Sequence, residues 1–256
     1  MGTSTRLPGP KRGGWTGAKH RLSEWVPDND SRPDSLTEDD RRIAEEVAAQ
    51  FRRALRDALL DDPERFGLRD AALDAGQRLI AVLDGLRRPD PVVLRGLPGP
   101  DPAASGDEFV RRFVSEVGGD GRLVVDAATR RAAREVAERL VDPAGPLADT
   151  ARPKRVTGEL FCALYQLFFG ELVGEFVHVL IAEHIKLAVP VLAFDPTDTV
   201  AGFVADQVVK LLPDPCGTAA AREPERPRLA EVARDLLSET VNEALGLGDT
   251  GLEFAA

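Results

Sequence analysis

The chain has few of the residues from which most active sites are assembled. Its 256 residues include two cysteines, one methionine, one tyrosine and three histidines. Cys162 and Cys216 fit neither a metal-type spacing nor a disulfide framework. Cys162 lies within the most apolar stretch of the chain, which predicts a buried thiol. Of the histidines, His20 is near the start and His178 and His184 are in that same apolar stretch, so a Ser-His-Asp arrangement is hard to assemble. Serines and threonines fall mostly at predicted helix caps and in terminal segments. Gly118, Gly119 and Gly121 form a turn, but there is no Gly-Lys-Ser/Thr and no regular GxGxxG after a strand to cradle phosphates. The residue chemistry points away from an enzyme, and no cofactor is expected.

Net positive charge is also missing. Acids outnumber bases 43 to 33, giving a formal charge of −10. A general nucleic-acid binder needs a basic face to neutralise phosphates, so no direct nucleic-acid partner is expected. Lysine is scarce while Arg, Ala, Asp and Gly are abundant, a composition of high-GC bacterial coding. No apolar run near the start suggests a secretory signal, and the expected location is cytoplasmic. Strand-like alternation is nearly absent and no repeat stands out.

What remains is helical. The stretch 157–194 (TGELFCALYQLFFGELVGEFVHVLIAEHIKLAVPVLAF) holds most of the large apolar residues. Phe161, Tyr165, Phe168, Leu172, Phe176 and Val179 recur every three or four residues, which puts them on one helical face. Thr157 is placed to cap the start, and Pro190 requires the helix to end by about Val189. The stretch is long enough to span a membrane, but Glu171 and Glu175 would sit near mid-bilayer at about 2.5 kcal/mol or more each. A central helix buried on most sides is the better reading, with Gly170 and Gly174 allowing a neighbouring helix to approach closely.

Further helices are predicted on the same grounds. One begins at Thr37, capped with Asp40, and runs to about Asp61. Another spans about Leu68 to Leu86. Ser105 with Glu108 reads as a capping box ahead of Phe109, Phe113 and Val117. Asp126 is placed to cap a helix reaching about Val141. Asp195-Pro196 opens another helix, and a last one covers about 227–245. Residues 88–104, 142–156 and 213–227 read as loops or linkers. The fold class is therefore all-α: an irregular bundle of six to seven helices around one long apolar helix, spanning 37–245. Residues 1–36 read as a disordered, Gly/Pro-rich tail, and 246–256 as a flexible C-terminal tail.

Both tryptophans lie in that N-terminal segment. Trp15, Ala18, Leu22 and Trp25 have the spacing of a short helical face. Trp anchors are common binding hot spots, so Trp15, Leu22 and Trp25 are candidate partner-docking residues. The other reading is that the segment folds back onto its own domain. Removal of Met1 would leave Gly2 with a free amine, a candidate for N-terminal modification. Arg6 stands where the myristoylation pattern wants Ser or Thr, so lipidation is not expected. Glu171, Glu175 and His178 are weak metal-ligand candidates: Glu175-x-x-His178 has the spacing of half a di-iron carboxylate site. That site would require a second such motif, which the chain lacks. A polar stripe on a partly exposed helix is the plainer reading, with a helical carboxylate/His metalloenzyme or a membrane-associating effector as the alternatives.

The opening MGTSTRLPGPKRGGWTGAKHRLSEW resembles the start of the QatB components of bacterial Qat anti-phage defence operons. Those proteins tend to begin Met-Gly-Thr-Ser, continue through a Gly/Pro-rich stretch and reach a tryptophan. GGDGRLVVDAATRRAAREVAERL is similar to a Gly-Asp-Gly turn and Ala/Arg-rich helix in such proteins, and FFGELVGEFVHVLIAEHIKL is a weaker likeness. This tail departs from the pattern in being basic, with GPKRGGW in place of a longer neutral run. The resemblance implies a non-catalytic defence component. Its implied partners are an ATPase, a deazaguanine-synthesis-like enzyme and a TatD-like nuclease.

Overall fold

A computed structural model describes residues 13–25, 36–97, 102–119, 124–150, 152–184, 196–222 and 227–248. Among these residues there are nine α-helices and no strand: α1 (Gly13–Glu24), α2 (Glu38–Asp61), α3 (Leu68–Leu86), α4 (Pro102–Gly118), α5 (Val124–Val141), α6 (Gly158–His184), α7 (Pro196–Val209), α8 (Pro215–Ala221) and α9 (Leu229–Ala244). The all-α expectation holds, as does its organisation around one long apolar helix. Gly2 and the tail from residue 249 lie outside the described residues.

The long helix is α6. Thr157 caps it: its Oγ1 accepts from the Leu160 N–H at 3.2 Å, and its carbonyl accepts from the Phe161 N–H. Phe161, Tyr165, Phe168, Phe169, Leu172, Phe176, Leu180 and Ile181 are all buried. The helix is apolar nearly all round because neighbours cover it on several sides, as a core helix requires. It packs along α7 and α5 and also touches α2, α3, α8 and α9. By length and composition it could cross a membrane, yet 67% of its most apolar window is buried inside the protein.

The close approach expected at the two glycines is supplied by α7. A Cβ on Gly170 would lie 2.6 Å from Val209 Cγ2 and 3.0 Å from the Ala205 carbonyl oxygen. On Gly174 it would lie 2.7 Å from the Ala201 carbonyl oxygen. Only glycine lets the α7 backbone lie this close. On the side facing α9, the buried Tyr165 hydroxyl donates to Thr240 Oγ1 at 2.8 Å, which satisfies the one polar atom that this aromatic brings into the core. Burial pushes the phenol up to about 12.

Between α2 and α3 the chain reverses through Phe66, a non-glycine residue at φ 71°. Its ring lies edge-on to Phe176 of α6, with centroids 5.3 Å apart. This aromatic contact offsets a backbone conformation that costs on the order of 1–3 kcal/mol.

Four local expectations are corrected. First, α1 occupies part of the segment expected as a disordered tail. Second, α4 starts at Pro102, so Ser105 is a buried residue within the helix and not its cap. Proline suits a first turn, where its missing N–H has no partner to lose, and Ala103-Ala104 extends the helix backwards. Third, α5 starts at Val124, which places Asp126 in the first turn and not at the cap. Fourth, the expected linker 213–227 contains α8, capped by Asp214, whose carboxylate accepts from the Cys216 and Gly217 N–H groups at 2.9 and 3.0 Å.

Candidate functional site

The N-terminal helix is held on its own domain. Trp15, Ala18, Leu22 and Trp25 are all buried and belong to the one hydrophobic core. Their spacing gives a helical face, as expected, and that face lies on α2. Trp15 stands edge-on to Phe51 at a centroid distance of 5.0 Å. The Trp25 indole Nε1–H donates to Asp40 Oδ1 at 3.0 Å. On the outside, Arg21 pairs with Glu46 at 2.5 Å. The expectation that Trp15, Leu22 and Trp25 form an exposed docking face for a partner is therefore corrected. A segment of Gly, Pro and charge reads as loose because its composition is averaged. Four large or closely fitting apolar side chains at helical spacing are enough to seat twelve residues once a matching face exists.

Asp40 joins this latch to the start of α2. Its other oxygen accepts from the Thr37 hydroxyl at 2.7 Å, and the Asp40 N–H donates back to Thr37 Oγ1 at 3.1 Å. The Thr37 hydroxyl first, and the Trp25 indole second, hold the Asp40 carboxyl below its ordinary value.

The polar stripe of α6 is engaged by the neighbouring helices. Glu175 accepts from Arg131 of α5 at 2.9 Å. His178 Nδ1 lies 2.9 Å from the Asp198 carboxylate at the start of α7. The donor atoms of Glu171, Glu175 and His178 do not come together as a ligand set. Glu171 is instead caught half-buried between α5 and α7. Burial, followed by the nearby charges of Glu135, Glu175 and Asp206, pushes its carboxyl up to about 7, against the opposing pull of Arg139. A carboxyl that titrates near neutrality can exchange a proton under cellular conditions. The charged groups around it are three acids and one arginine, and together with burial they account for the shift.

Cys162 and Cys216 form a disulfide with Cα atoms 6.1 Å apart, correcting the expectation of a buried thiol. The bond ties α8 to the N-terminal part of α6. Asp214 is close to both sulfurs, and its capping of α8 explains its position. Sequence spacing gave no sign of the pair, because 54 residues separate the two cysteines and only the return of the chain along α7 brings them together.

A cleft of about 690 Å³ lies between α3, a short 3-10 turn at Val92–Leu94, and α4. Its walls include Val82, Val92 and Val93, and Val92 is 72% exposed. Its arginines are paired: Arg95 with Asp90, Arg112 with Glu108, and Arg88 with Asp84. Arg112 also donates to the Arg95 and Gly96 carbonyls, which fixes the turn against α4. Comparison of the chain with protein-family models, curated proteins and solved structures found no match in any of the three.

Proposed function

We propose that the chain is a non-catalytic, partner-binding component of a bacterial anti-phage defence system, presented to its partners through its N-terminus. The observation that carries this reading is the anchoring of α1 by Trp15, Leu22 and Trp25. Trp15, packed on Phe51, and Trp25, bonded to Asp40, hold the start of the described chain on the domain. Gly2 lies eleven residues before the first residue of α1, a span of roughly 40 Å at most. The anchored helix thus serves as a mount, and the contact with partners falls to the residues ahead of it. The resemblance of the opening sequence to QatB components supports the same reading and names the class of partners: an ATPase, a deazaguanine-synthesis-like enzyme and a TatD-like nuclease.

Enzymes of the deazaguanine-synthesis type use ATP to activate a carboxylate for attack by an amine. After Met1 is removed, the Gly2 amine is unhindered by a side chain and can serve as that nucleophile. Co-expression with such a partner, followed by intact mass measurement and sequencing of the N-terminal peptide, tests this. A mass increase confined to the Gly2 peptide is expected. An unmodified peptide from a complex that still co-purifies leaves partner binding standing but removes the modification. Failure of any partner to co-purify removes both.

A further inference from the structure

A second cleft, about 360 Å³, runs between α2 and the end of α7. Arg52, Arg53 and Arg56 line it from α2, Gln207 lines it from α7, and Lys210 follows on the exit turn. Ala49 and Leu211 add small apolar surfaces. Gln207 Nε2 donates to the Glu45 carbonyl across the two helices at 3.2 Å, which fixes one wall.

Many arginines of the protein are paired with an acid, and those of this cleft are not. Arg21, Arg42, Arg88, Arg95, Arg131 and Arg222 each meet a carboxylate within 3.5 Å. Among the described residues, Arg52, Arg53, Arg56 and Lys210 form no ion pair. The Arg56 Nε–H is buried and has no acceptor. Arg52 and Arg56 are four apart on one helical face, where like charges destabilise the helix. Burial first, and the Arg56 charge second, weaken the hold of Arg52 on its proton, while buried Glu243 opposes them. Arg52 and Arg56 are half-buried while Arg53 and Lys210 are exposed, and a half-buried guanidinium without a partner is costly unless a ligand completes it. Arginine forks match the oxygens of a phosphoryl group two at a time, and a nearby lysine adds a point charge. The volume lies at the lower end of the range for small-molecule sites.

We propose that the cleft formed by Arg52, Arg53, Arg56 and Lys210 binds the phosphoryl end of a small phosphorylated ligand. A doubly charged phosphoryl group bridging Arg52 and Arg56 converts their repulsion into two attractive pairs and supplies the missing acceptor for Arg56 Nε. The site is distinct from the N-terminal leader and does not depend on the role proposed for it.

The test uses the full chain and inorganic pyrophosphate, titrated calorimetrically at low salt, with sodium sulfate at matched ionic strength as the control anion. Saturable binding of pyrophosphate near one per chain, with sulfate weaker by about tenfold or more, is expected. Arg56→Gln and Lys210→Gln should each weaken pyrophosphate binding by about tenfold or more. Arg134→Gln, on the far surface of α5, should leave it unchanged. Without ligand, Arg56→Gln should melt no lower than the parent, because it removes a like-charge pair. If Arg56→Gln fails to fold, the exposed Lys210→Gln decides the question alone. The proposal is overturned by no saturable binding to the parent chain, by equal binding of sulfate, or by binding that Lys210→Gln leaves intact. Saturable binding of a single-stranded oligonucleotide that pyrophosphate fails to displace would also overturn it.

Discussion

The indole of Trp25 and the carboxylate of Asp40, fifteen residues apart, meet in a 3.0 Å hydrogen bond that joins the N-terminal helix to the cap of the next one. Asp40→Ala should therefore do two things at once: weaken the start of α2 and release α1. A loss of about 1–2 kcal/mol in denaturant unfolding is expected. Because the chain has only the two tryptophans, its fluorescence reports on α1 and its latch alone, and the emission should shift to the red. An unchanged emission maximum would show that α1 is held by its apolar contacts without the latch.

The same pair sets a pH dependence. The Asp40 carboxyl is held below its ordinary value of 3.8 in the folded state. A depressed folded value means that its contribution is complete above that ordinary value and is lost as pH falls through the folded one. Tryptophan emission should thus be flat from pH 7 down to about 4 and change only in stronger acid. A change near pH 6 would point to another group.

Glu171 has the opposite sign. Its folded value, about 7, lies above the ordinary 4.5, so the native state holds a proton that the unfolded chain releases. Stability should fall as pH rises from about 4.5 through 7, first because the group is buried and then because of Glu135, Glu175 and Asp206, opposed by Arg139. Glu171→Gln should be close to neutral at pH 4 and stabilise at pH 8 by on the order of 2 kcal/mol. Equal melting temperatures for parent and variant across that range would show that the carboxylate is solvated.

The α6–α7 contact gives a paired test. Gly174→Ala would place its methyl group against the Ala201 carbonyl oxygen and should destabilise by about 1–3 kcal/mol. Gly202→Ala, one helix away, meets nothing within 4 Å and should stabilise by about 0.5–1 kcal/mol through helix propensity alone. The two glycine substitutions are chemically identical, so opposite shifts in unfolding midpoint isolate the packing. Shifts of the same sign would contradict the close approach of α7.

The Cys162–Cys216 bond closes a loop of 54 residues that contains all of α7, which on chain-entropy grounds contributes up to about 4 kcal/mol. Chain purified without reductant should take up no iodoacetamide after unfolding, and two equivalents after reduction. Reduction should lower the melting temperature, and Cys216→Ser should reproduce the loss without reductant. Such bonds are rare in reducing compartments, so the alkylation state in a rapid cell extract also tests the expected cytoplasmic location. Free thiols in that extract would mean that the bond forms only after lysis.

The sequence by itself determined what depends on near neighbours along the chain. Apolar residues at helical spacing placed α2, α3, α6 and α9 close to their observed bounds. Thr37 and Thr157 marked two helix starts, and Gly170 and Gly174 marked where another helix would come close. These features are legible because a helix brings residues i, i+3 and i+4 together whatever lies beyond it. The tertiary structure decided everything that depends on residues distant in sequence. It seated Trp15 and Trp25 in the core, joined Cys162 to Cys216 and surrounded Glu171 with acids from two other helices. It also brought three arginines of α2 and a lysine of the α7 exit turn to one cleft without an ion pair among the described residues. Charge and reactivity are set by what stands across a gap of a few ångströms, and only the packing of whole helices fixes that neighbour.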